Sequence, residues 1–456
     1  MALVVAGVAG AALIVAQQGR AVPAGAATVD PSVFGSPSPA GSPSPAGSPS
    51  PAPDPVAACL ANAIDAVPPP LTGRLTGEVI GLQSGAVLWE DGAAEPKIPA
   101  SSEKVLTALA LVDTLGPGAL ATTYKTSVVA ASGDKIVLVG GGDPLLASTA
   151  ATATLGQPQT LADLAAATAK ALQAGGQTSV SLGFDDTAFT GPDWQPTWDA
   201  GYIYDVTRVS ALWVDEWLTP LPATTSEGSG THSQTPALSA AKVFAEQLKA
   251  DGIEVTATDT TGAAAPAGAS VLASVDSLPL GDIVKHLLLV SDNSTAEVLA
   301  RHLAIAKGLP ASFDGGAQAV MDWLDANQLS QPGMKVVDGS GLSRQNAMPA
   351  ATLAGAVAWA AAKGGPAAEL LSYLPVAGLS GTLTSRFSSP TDLSARGFVH
   401  AKTGSMNNVG SLTGYAVTAA GQWLAFSVIV NDAPVAPGPI NTWLDDVVST
   451  LATSRC

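Results

Sequence analysis

The 456-residue sequence has few cationic side chains, with 20 Lys and Arg against 37 Asp and Glu and a net charge of −17. Because cationic side chains supply most of the affinity for phosphate backbones, this balance argues against a nucleic acid partner. It also argues against electrostatic docking on anionic lipid. Only two Cys and four His are present, which leaves little material for a metal site. We therefore expect neither a metal nor another cofactor.

Charged residues are also scarce overall, at 12% against about 25% in ordinary soluble domains. Hydrophobic residues reach 47%, so the chain can bury a large core and cannot be uniformly disordered. The length allows about three domains of about 150 residues each.

The N-terminal segment begins with an unbroken apolar run from Ala2 to Ala16. This run is shorter than the about 20 residues of a membrane-spanning helix and fits the core of a signal peptide. Ala24-Gly25-Ala26 offers small residues for cleavage, but the first cation, Arg20, follows the run instead of preceding it. We predict an exported protein, with residues 1–27 acting either as a cleaved signal peptide or as a retained membrane anchor.

A six-residue repeat follows, in which Ser36 to Gly41 recurs from Ser42. Proline at alternate positions removes backbone donors and fixes φ, so the segment is expected to be extended polyproline II. Residues 28–56 are predicted to be a linker. It is either a spacer that holds a globular domain away from a membrane or a disordered tail without function.

The remaining sequence predicts an α+β domain. Strand patterns occur near both ends, as a hairpin at 78–90 and as three strands at 398–402, 411–417 and 423–430, with helical patterns between them. We expect an antiparallel sheet flanked by helices and formed by residues 57–122 and 275–456. The Gly- and Pro-rich mixture of short strands and helices at 123–274 is predicted to be a large mixed α/β insertion.

The two cysteines flank this globular part. Cys59 lies in a short predicted helix at 57–66, and Cys456 is the last residue, after a helix with one apolar face. An exported protein can keep a disulfide. If the two terminal helices pack side by side, Cys59 and Cys456 can form a disulfide; the alternative is two unpaired thiols.

Three short motifs carry candidate chemistry. The first joins Ser101 and Lys104, three residues apart at a helix start and therefore on one face. A serine hydroxyl needs a base to become a nucleophile, and a buried lysine can serve as that base. Taken alone, the motif is more typical of a helix cap followed by a surface lysine than of a catalytic pair.

The second motif, Ser291-Asp292-Asn293, lies between two apolar helices. It offers a hydroxyl for proton relay and an amide that can hold the base and the substrate, although a capped turn has the same pattern. The third motif, Lys402-Thr403-Gly404-Ser405, comes at a predicted strand end. It offers a positive charge, hydroxyls for a carboxylate, and a glycine that lets a substrate backbone approach.

In this order, the three motifs resemble the signature of class A β-lactamases and penicillin-binding proteins. Further segments, including Gly140-Gly141-Gly142-Asp143, Asp185-Asp186-Thr187 and Asp338 to Arg344, resemble class C low-molecular-mass penicillin-binding proteins. These are the D-Ala-D-Ala carboxypeptidases and endopeptidases of the bacterial cell wall. The resemblance covers the chain from about Cys59 to its end and implies a β-lactamase/transpeptidase-like fold.

The resemblance also implies roles for individual residues. Ser101 would attack the penultimate D-Ala carbonyl of a peptidoglycan stem peptide, with Lys104 as base, and Ser291 and Lys402 would protonate the leaving amine. Asn293 would orient Lys104 and the substrate amide. The N–H groups of Ser101 and Ser405 would form the oxyanion hole. The residues implied to bind substrate are Thr403, Gly404, Ser405, Arg344 and Asp185.

The resulting prediction is a serine D,D-carboxypeptidase, with endopeptidase activity left open, that acts outside the cytoplasm and is acylated by β-lactams at Ser101. One alternative is a serine β-lactamase, although no Glu base loop is recognisable beside the first two motifs. The other is a peptidoglycan-binding protein whose catalytic site has decayed.

Overall fold

The structure, a computed structural model, describes residues 55–69, 73–153, 155–215 and 232–456. The predicted leader at 1–27 and nearly all of the predicted linker lie outside these residues. The described residues form two five-stranded sheets and ten α-helices, as the predicted α+β class requires. The strands are β1 (Arg74–Gly81), β2 (Val87–Asp91), β3 (Lys125–Ala130), β4 (Lys135–Val139), β5 (Ser179–Asp185), β6 (Glu254–Thr258), β7 (Val271–Asp276), β8 (Val399–Met406), β9 (Val409–Val417) and β10 (Trp423–Asn431).

The helices surround the first sheet and cover one face of the second. They are α1 (Pro55–Asp65), α2 (Lys104–Leu115), α3 (Leu161–Ala174), α4 (Pro236–Ala250), α5 (Leu280–Val290), α6 (Asn293–Ala306), α7 (Phe313–Ala326), α8 (Ala350–Lys363), α9 (Gly365–Leu371) and α10 (Pro437–Thr453).

The first sheet has the order β2-β1-β10-β9-β8 and is antiparallel throughout. Its interior strands β9 and β10 are buried almost along their whole length, which explains the nearly continuous apolar sequence of β10. β1 pairs with β10, so that Leu75 lies opposite Val430. The two ends of the chain therefore complete one sheet, as predicted.

The terminal helices lie together on this sheet. The apolar face predicted for the C-terminal helix is buried in α10, including Ile440, Leu444 and Val448. α10 packs against β9 and α1. Cys59 and Cys456 form the disulfide that the sequence left open.

The second sheet has the order β6-β5-β4-β3-β7, with parallel pairing from β4 to β6 and antiparallel pairing at the other end. α3 and α4 contribute to its apolar core. The predicted insertion boundary at residue 274 falls inside β7, an edge strand whose Val271 is exposed. The division into a catalytic domain and an insertion stays a prediction.

A helical core lies between the first sheet and α7. α2 is buried along Lys104 to Val112 because its sequence is apolar on nearly every side, and it packs against α6, α7 and α9. The sequence did not predict α8 and α9, since the Ala-rich segment from Ala350 has little alternation of polar and apolar residues. In the described part of the chain, no helix is both long and apolar enough to cross a membrane.

Candidate active site

The three motifs meet where the helical core touches β8. Lys104 Nζ lies 2.8 Å from Ser101 Oγ and donates to Asn293 Oδ1 at 2.7 Å. Lys402 Nζ donates to Ser291 Oγ at 2.7 Å. The structure thus brings together all five residues predicted to act in catalysis, although their roles stay predictions.

The nucleophile candidate lies just before α2. The predicted helix starts at Ser101, but this residue occupies a 3₁₀ turn, Ala100–Glu103, and α2 begins at Lys104. Ala100 has a φ of 48°, an uncommon conformation for a residue with a side chain, and such strain is concentrated at functional sites. The turn presents the Ser101 hydroxyl toward Lys104, one helical turn away.

The second motif is also built on an unusual backbone. Ser291 ends α5 in the left-handed conformation, with a φ of 65°. Asp292 then caps α6 by accepting a hydrogen bond from the Thr295 N–H at 3.0 Å. The sharp change of direction separates the side chains of Ser291 and Asn293, so that one contacts Lys402 and the other contacts Lys104.

The third motif lies within β8 rather than at its end. Lys402 pairs with Thr413 and Gly404 with Ser411, because the strand continues to Met406. The structure gives a second reason for the glycine, beside the predicted approach of a substrate backbone. A Cβ atom at Gly404 would lie 2.6 Å from the carbonyl oxygen of Pro99. Gly404 therefore lets β8 press against the turn that carries the nucleophile.

The environment of Lys104 suits a general base. Its side chain is fully buried and also donates to the Ser340 carbonyl at 2.7 Å. Burial lowers the pKa of Lys104 to about 8, while the charges of Glu297 and Asp338 oppose that change. A lysine with this pKa has an appreciable neutral fraction near neutral pH and can accept a proton from Ser101.

Lys402 is equally buried. Burial, and then the nearby charge of Lys104, lower its pKa well below the ordinary value for lysine. Two buried ammonium groups so close together disfavour each other. The pair therefore favours one shared positive charge over two, which suits the passage of a proton between the two lysines.

An open cavity of about 290 Å³ lies in front of Ser101. Its lining is mostly polar and comes from all three motifs as well as from the predicted insertion. The lining residues are Ser101, Tyr202, Asp205, Ser291, Asn293, Gly341, Leu342, Arg344, Ser405, Met406 and Asn407.

The predicted substrate-binding residues fall into two groups. Ser405 and Arg344 line the cavity. Thr403 does not line it, and its hydroxyl lies 2.8 Å from that of Thr382. Asp185 does not line the cavity either. Its carboxylate accepts hydrogen bonds from Thr187 and from the Ala265 N–H. The roles of these residues stay predictions.

Several site residues were missed from the sequence. Tyr202 and Asp205 lie in a Gly- and Pro-rich loop that carries no signal, yet Asn293 Nδ2 donates to the Asp205 carbonyl at 2.8 Å. Glu103, inside the first motif, is fully buried, and neither of its carboxyl oxygens has a hydrogen-bond partner among the described residues. Burial raises its pKa well above the ordinary value, so this carboxyl group favours its neutral form.

Glu297 and Arg301 have the i,i+4 spacing that favours an ion pair on a helix, but their side chains do not form one. Arg301 Nη1 donates to the backbone carbonyl of Glu297 at 3.4 Å, and its guanidinium lies 4.1 Å from the ring centroid of Phe313. The Glu297 carboxylate instead accepts from the N–H groups of Gly339 and Ser340. Both side chains are buried against the neighbouring loops, whereas the spacing rule applies to exposed helix surfaces.

The described residues contain no cluster of three or more His, Cys, Asp or Glu side chains suited to a metal ion. The contacts of Lys104 with Ser101 and of Lys402 with Ser291 support the chemistry of a serine activated by a lysine, beside a second lysine and serine that can relay protons.

Comparisons with known proteins agree with this geometry. A family model described as the D-Ala-D-Ala carboxypeptidase 3 (S13) family matches residues 56–232 and 221–447. A carboxypeptidase of Mycobacterium tuberculosis is 35% identical over 383 residues, covering 82% of this chain and 79% of that protein. Carboxypeptidase DacB of Mycolicibacterium smegmatis is 35% identical over 408 residues, covering 88% and 84%.

Among solved structures, penicillin-binding protein 4 of Haemophilus influenzae has a similar fold. It superposes with a TM-score of 0.71 at 20% identity and covers 87% of this chain and 99% of its own. This likeness shows the fold, and the family model with the two carboxypeptidases shows that the chain belongs to the D-Ala-D-Ala carboxypeptidase 3 (S13) family of serine peptidases.

Proposed function

We propose that this D-Ala-D-Ala carboxypeptidase removes the terminal D-alanine from peptidoglycan stem peptides through an acyl-enzyme on Ser101. One observation carries the proposal: Lys104 Nζ lies 2.8 Å from Ser101 Oγ, and its pKa is lowered by burial to about 8. A hydroxyl in contact with such a base becomes a nucleophile near neutral pH.

In the first step, Lys104 takes the proton from Ser101 Oγ as this oxygen attacks the carbonyl carbon of the penultimate D-alanine. A C–O bond forms, and the carbonyl oxygen takes on negative charge. The backbone N–H groups of Ser101 and Ser405 stabilise this charge, as in other oxyanion holes. The position of both residues in the lining of one cavity supports this assignment.

In the second step, the C–N bond to the terminal D-alanine breaks. Lys402 delivers a proton to the leaving amine through the Ser291 hydroxyl. The proton that Lys104 took from Ser101 then passes to Lys402. The contact between Lys402 Nζ and Ser291 Oγ at 2.7 Å supports this route. Water then attacks the ester carbon and gives its proton to Lys104. The ester bond breaks, Ser101 recovers its proton, and the shortened peptide leaves as a carboxylic acid.

Recognition of the substrate's terminal carboxylate is assigned to Ser405 and Arg344. Arg344 is exposed at the rim of the cavity, where its Nη1 donates to the Asn407 carbonyl at 3.1 Å. Its remaining N–H groups suit a planar carboxylate. Thr403 and Asp185 keep the roles that the resemblance implied for them, as predictions.

The family acts on the bacterial cell wall, so its substrate lies outside the cytoplasm. Export through residues 1–27, as a cleaved signal or as an anchor, and the linker at 28–56 are part of the proposal. Activity as an endopeptidase on cross-linked peptides also belongs to the proposal, since the cavity is open to solvent on one side.

Labelling with a fluorescent penicillin tests the proposal. The wild type is expected to form a stable adduct at Ser101, identified by peptide mass spectrometry, and Ser101→Ala is expected to form none. Ser372→Ala, at an exposed serine on another part of the molecule, is the matched control and is expected to label like the wild type.

Release of D-alanine from a synthetic pentapeptide is the direct assay. A labelled wild type that releases no D-alanine would contradict the carboxypeptidase proposal and favour a decayed site. Fast, repeated turnover of a chromogenic cephalosporin would instead favour a β-lactamase, because a carboxypeptidase releases the β-lactam slowly after a single acylation.

A further inference from the structure

Glu297 is a fully buried carboxylate behind the site, on α6 and one helical turn after Asn293. Its Oε1 accepts hydrogen bonds from the Ser340 N–H at 2.8 Å and from the Gly339 N–H at 3.1 Å. Hydrogen bonds from backbone donors to a carboxylate are stronger than those between neutral groups. Glu297 therefore holds the loop at Gly339 and Ser340.

The opposite side of the same loop contacts the catalytic lysine. The Ser340 carbonyl accepts from Lys104 Nζ at 2.7 Å, and the Gly339 carbonyl accepts from Thr107 Oγ1 at 2.8 Å. Ser340 is thus held by Glu297 through its N–H and holds Lys104 through its carbonyl. Any movement of the loop away from Glu297 moves one of the three acceptors that fix the Lys104 ammonium.

Packing against α6 constrains the loop at Gly339 and Ser340 but does not orient it without Glu297. Gly339 lies against α6 so closely that a Cβ atom there would be 2.9 Å from the Ala296 carbonyl oxygen. Close packing of this kind fixes the distance between the loop and the helix but supplies no directional contact. The hydrogen bonds to Glu297 supply that direction.

We propose that Glu297 is a positioning residue for the acylation of Ser101, acting through Ser340 on the orientation of Lys104 and placing negative charge behind its ammonium group. The proposal rests on the function proposed above for Ser101 and Lys104. Glu297 does not line the cavity, so it is not assigned any contact with substrate.

The other charged groups around Lys104 do not duplicate this role. Lys104 experiences the charges of Asp338, Asp292 and Glu103 in addition to that of Glu297, and Lys402 lies on its other side. Asp338 lies in the same loop but accepts from the N–H groups of Gly341 and Ser343, beyond Ser340. Asp292 caps α6, and the carboxyl oxygens of Glu103 have no hydrogen-bond partner among the described residues.

Glu297 itself faces two charged groups, Asp338 and Arg301. Burial, and then Asp338, raise the pKa of Glu297 to about 7, against the lowering effect of its hydrogen-bond donors and of Arg301. Of the acidic groups near Lys104, only Glu297 accepts hydrogen bonds from the N–H groups of Gly339 and Ser340, the residues whose carbonyls contact Thr107 and Lys104.

The test compares Glu297→Gln, which removes the charge and keeps an acceptor oxygen, with Glu297→Asp, which keeps the charge and shortens the side chain. Glu246→Gln, at an exposed glutamate paired with Lys249, is the matched control. The readout is the second-order rate of acylation by a fluorescent penicillin from about pH 5.5 to 9.5, normalised to the amount of enzyme that can be acylated.

For Glu297→Gln we expect the maximal rate to fall by about tenfold to 100-fold, the range seen when a reacting group is misplaced. We also expect the ascending limb of the pH profile to move to lower pH, because loss of a nearby negative charge favours the neutral amine of Lys104. Glu297→Asp is expected to lower the rate of acylation and to leave the ascending limb of the pH profile at the same pH.

A Glu297→Gln profile that coincides with the wild type overturns the proposal. So does a loss of rate that the amount of acylable enzyme explains completely, since a purely structural role removes active molecules without moving the limb. If Glu297→Gln does not fold, Glu297→Asp decides: a wild-type rate overturns the proposal. Failure of the wild type to label at Ser101 would contradict the proposed function instead.

Discussion

The lysines of the two sheets lie in opposite environments. Around the first sheet, Lys104 and Lys402 are completely buried. In the second sheet, Lys125 and Lys135 reach solvent and form ion pairs with Asp276 and Asp259. The apolar core of the second sheet is built almost entirely from aliphatic side chains.

This difference shows where the fold accepts the cost of burying charge. Moving an ionised group out of water is unfavourable unless it is paired and hydrogen-bonded. Near Ser101, that cost is the means by which burial lowers the pKa of Lys104 toward neutrality. Perturbed pKa values of this kind are concentrated at functional sites. The lysines of the second sheet have no such role and stay in contact with solvent.

The predicted insertion at 123–274, which includes most of the second sheet, forms a second region that supports the site beside the first sheet. Trp198 Nε1 donates to Asp338 Oδ2 at 2.7 Å, and Asp338 in turn accepts from the N–H groups of Gly341 and Ser343. Gln195 Nε2 also donates to the Val337 carbonyl at 2.9 Å. The loop that orients Lys104 is therefore held from both sides, by α6 and by the segment that carries Trp198.

The largest change in activity is expected when a buried lysine is replaced, and the matched exposed lysine serves as its control. Lys402→Met is expected to lower kcat/KM for D-alanine release by about 100-fold to 10,000-fold, the contribution typical of a proton-transferring side chain. Lys125→Met, at the exposed ion pair of the second sheet, is expected to leave kcat/KM unchanged and to change the free energy of unfolding by less than about 1 kcal/mol. Equal effects of the two substitutions would break the comparison.

The pH dependence of acylation gives the next effect. Since Lys104 has a pKa of about 8 and acts as a base when neutral, each pH unit below that value leaves about tenfold less of the active form. The acylation rate of the wild type is therefore expected to rise about 50-fold from pH 6 to pH 8, where half of Lys104 is neutral. Stopped-flow measurement with a fluorescent penicillin, corrected for hydrolysis of the penicillin in buffer, provides the profile. A flat profile over this range would show that Lys104 is not the base.

A smaller effect is expected at the contact between the two regions. Trp198→Phe removes the donor to Asp338, and Trp213→Phe removes a similar buried donor to the Pro144 carbonyl within the second region. Both are expected to lower the free energy of unfolding by about 1–3 kcal/mol, the range for losing a buried hydrogen bond.

Only Trp198→Phe is expected to slow acylation as well, by about tenfold, because only that contact leads to the Ser340 loop. Chemical denaturation and penicillin labelling of the same samples measure both quantities. If Trp213→Phe slows acylation as much as Trp198→Phe, the second region acts on the site only through general stability.

The parts of the fold that were predictable have simple local patterns. The apolar face of α10 follows from the periodicity of its sequence. The strands before α10, and with them the pairing of the chain ends, follow from runs of aliphatic residues. The Ala-rich helix α8 and the edge strand β7 were missed, since neither has a periodic apolar face. The catalytic motifs were found because each spans only a few residues.

The missed features of the site share another property. Each of them is a contact between residues far apart in the chain. The contacts are those of Glu297 with the Ser340 N–H, of Trp198 with Asp338 and of Asn293 with the Asp205 carbonyl. Sequence spacing predicted a partner for Glu297 only within its own helix. Its real partners depend on how α6 packs against a distant loop, and no local pattern encodes that packing.

The sequence by itself therefore determined the family, the identity of the candidate nucleophile and lysines, and the general α+β architecture, because short motifs and hydrophobic patterns carry that information. The tertiary structure decided which of the candidates meet in one cavity, the conformation of Ala100 and Ser291, and the reason for Gly404. It also decided how far the pKa of Lys104 is lowered. That value depends on burial and on the arrangement of surrounding charges, and both arise only when distant segments pack together.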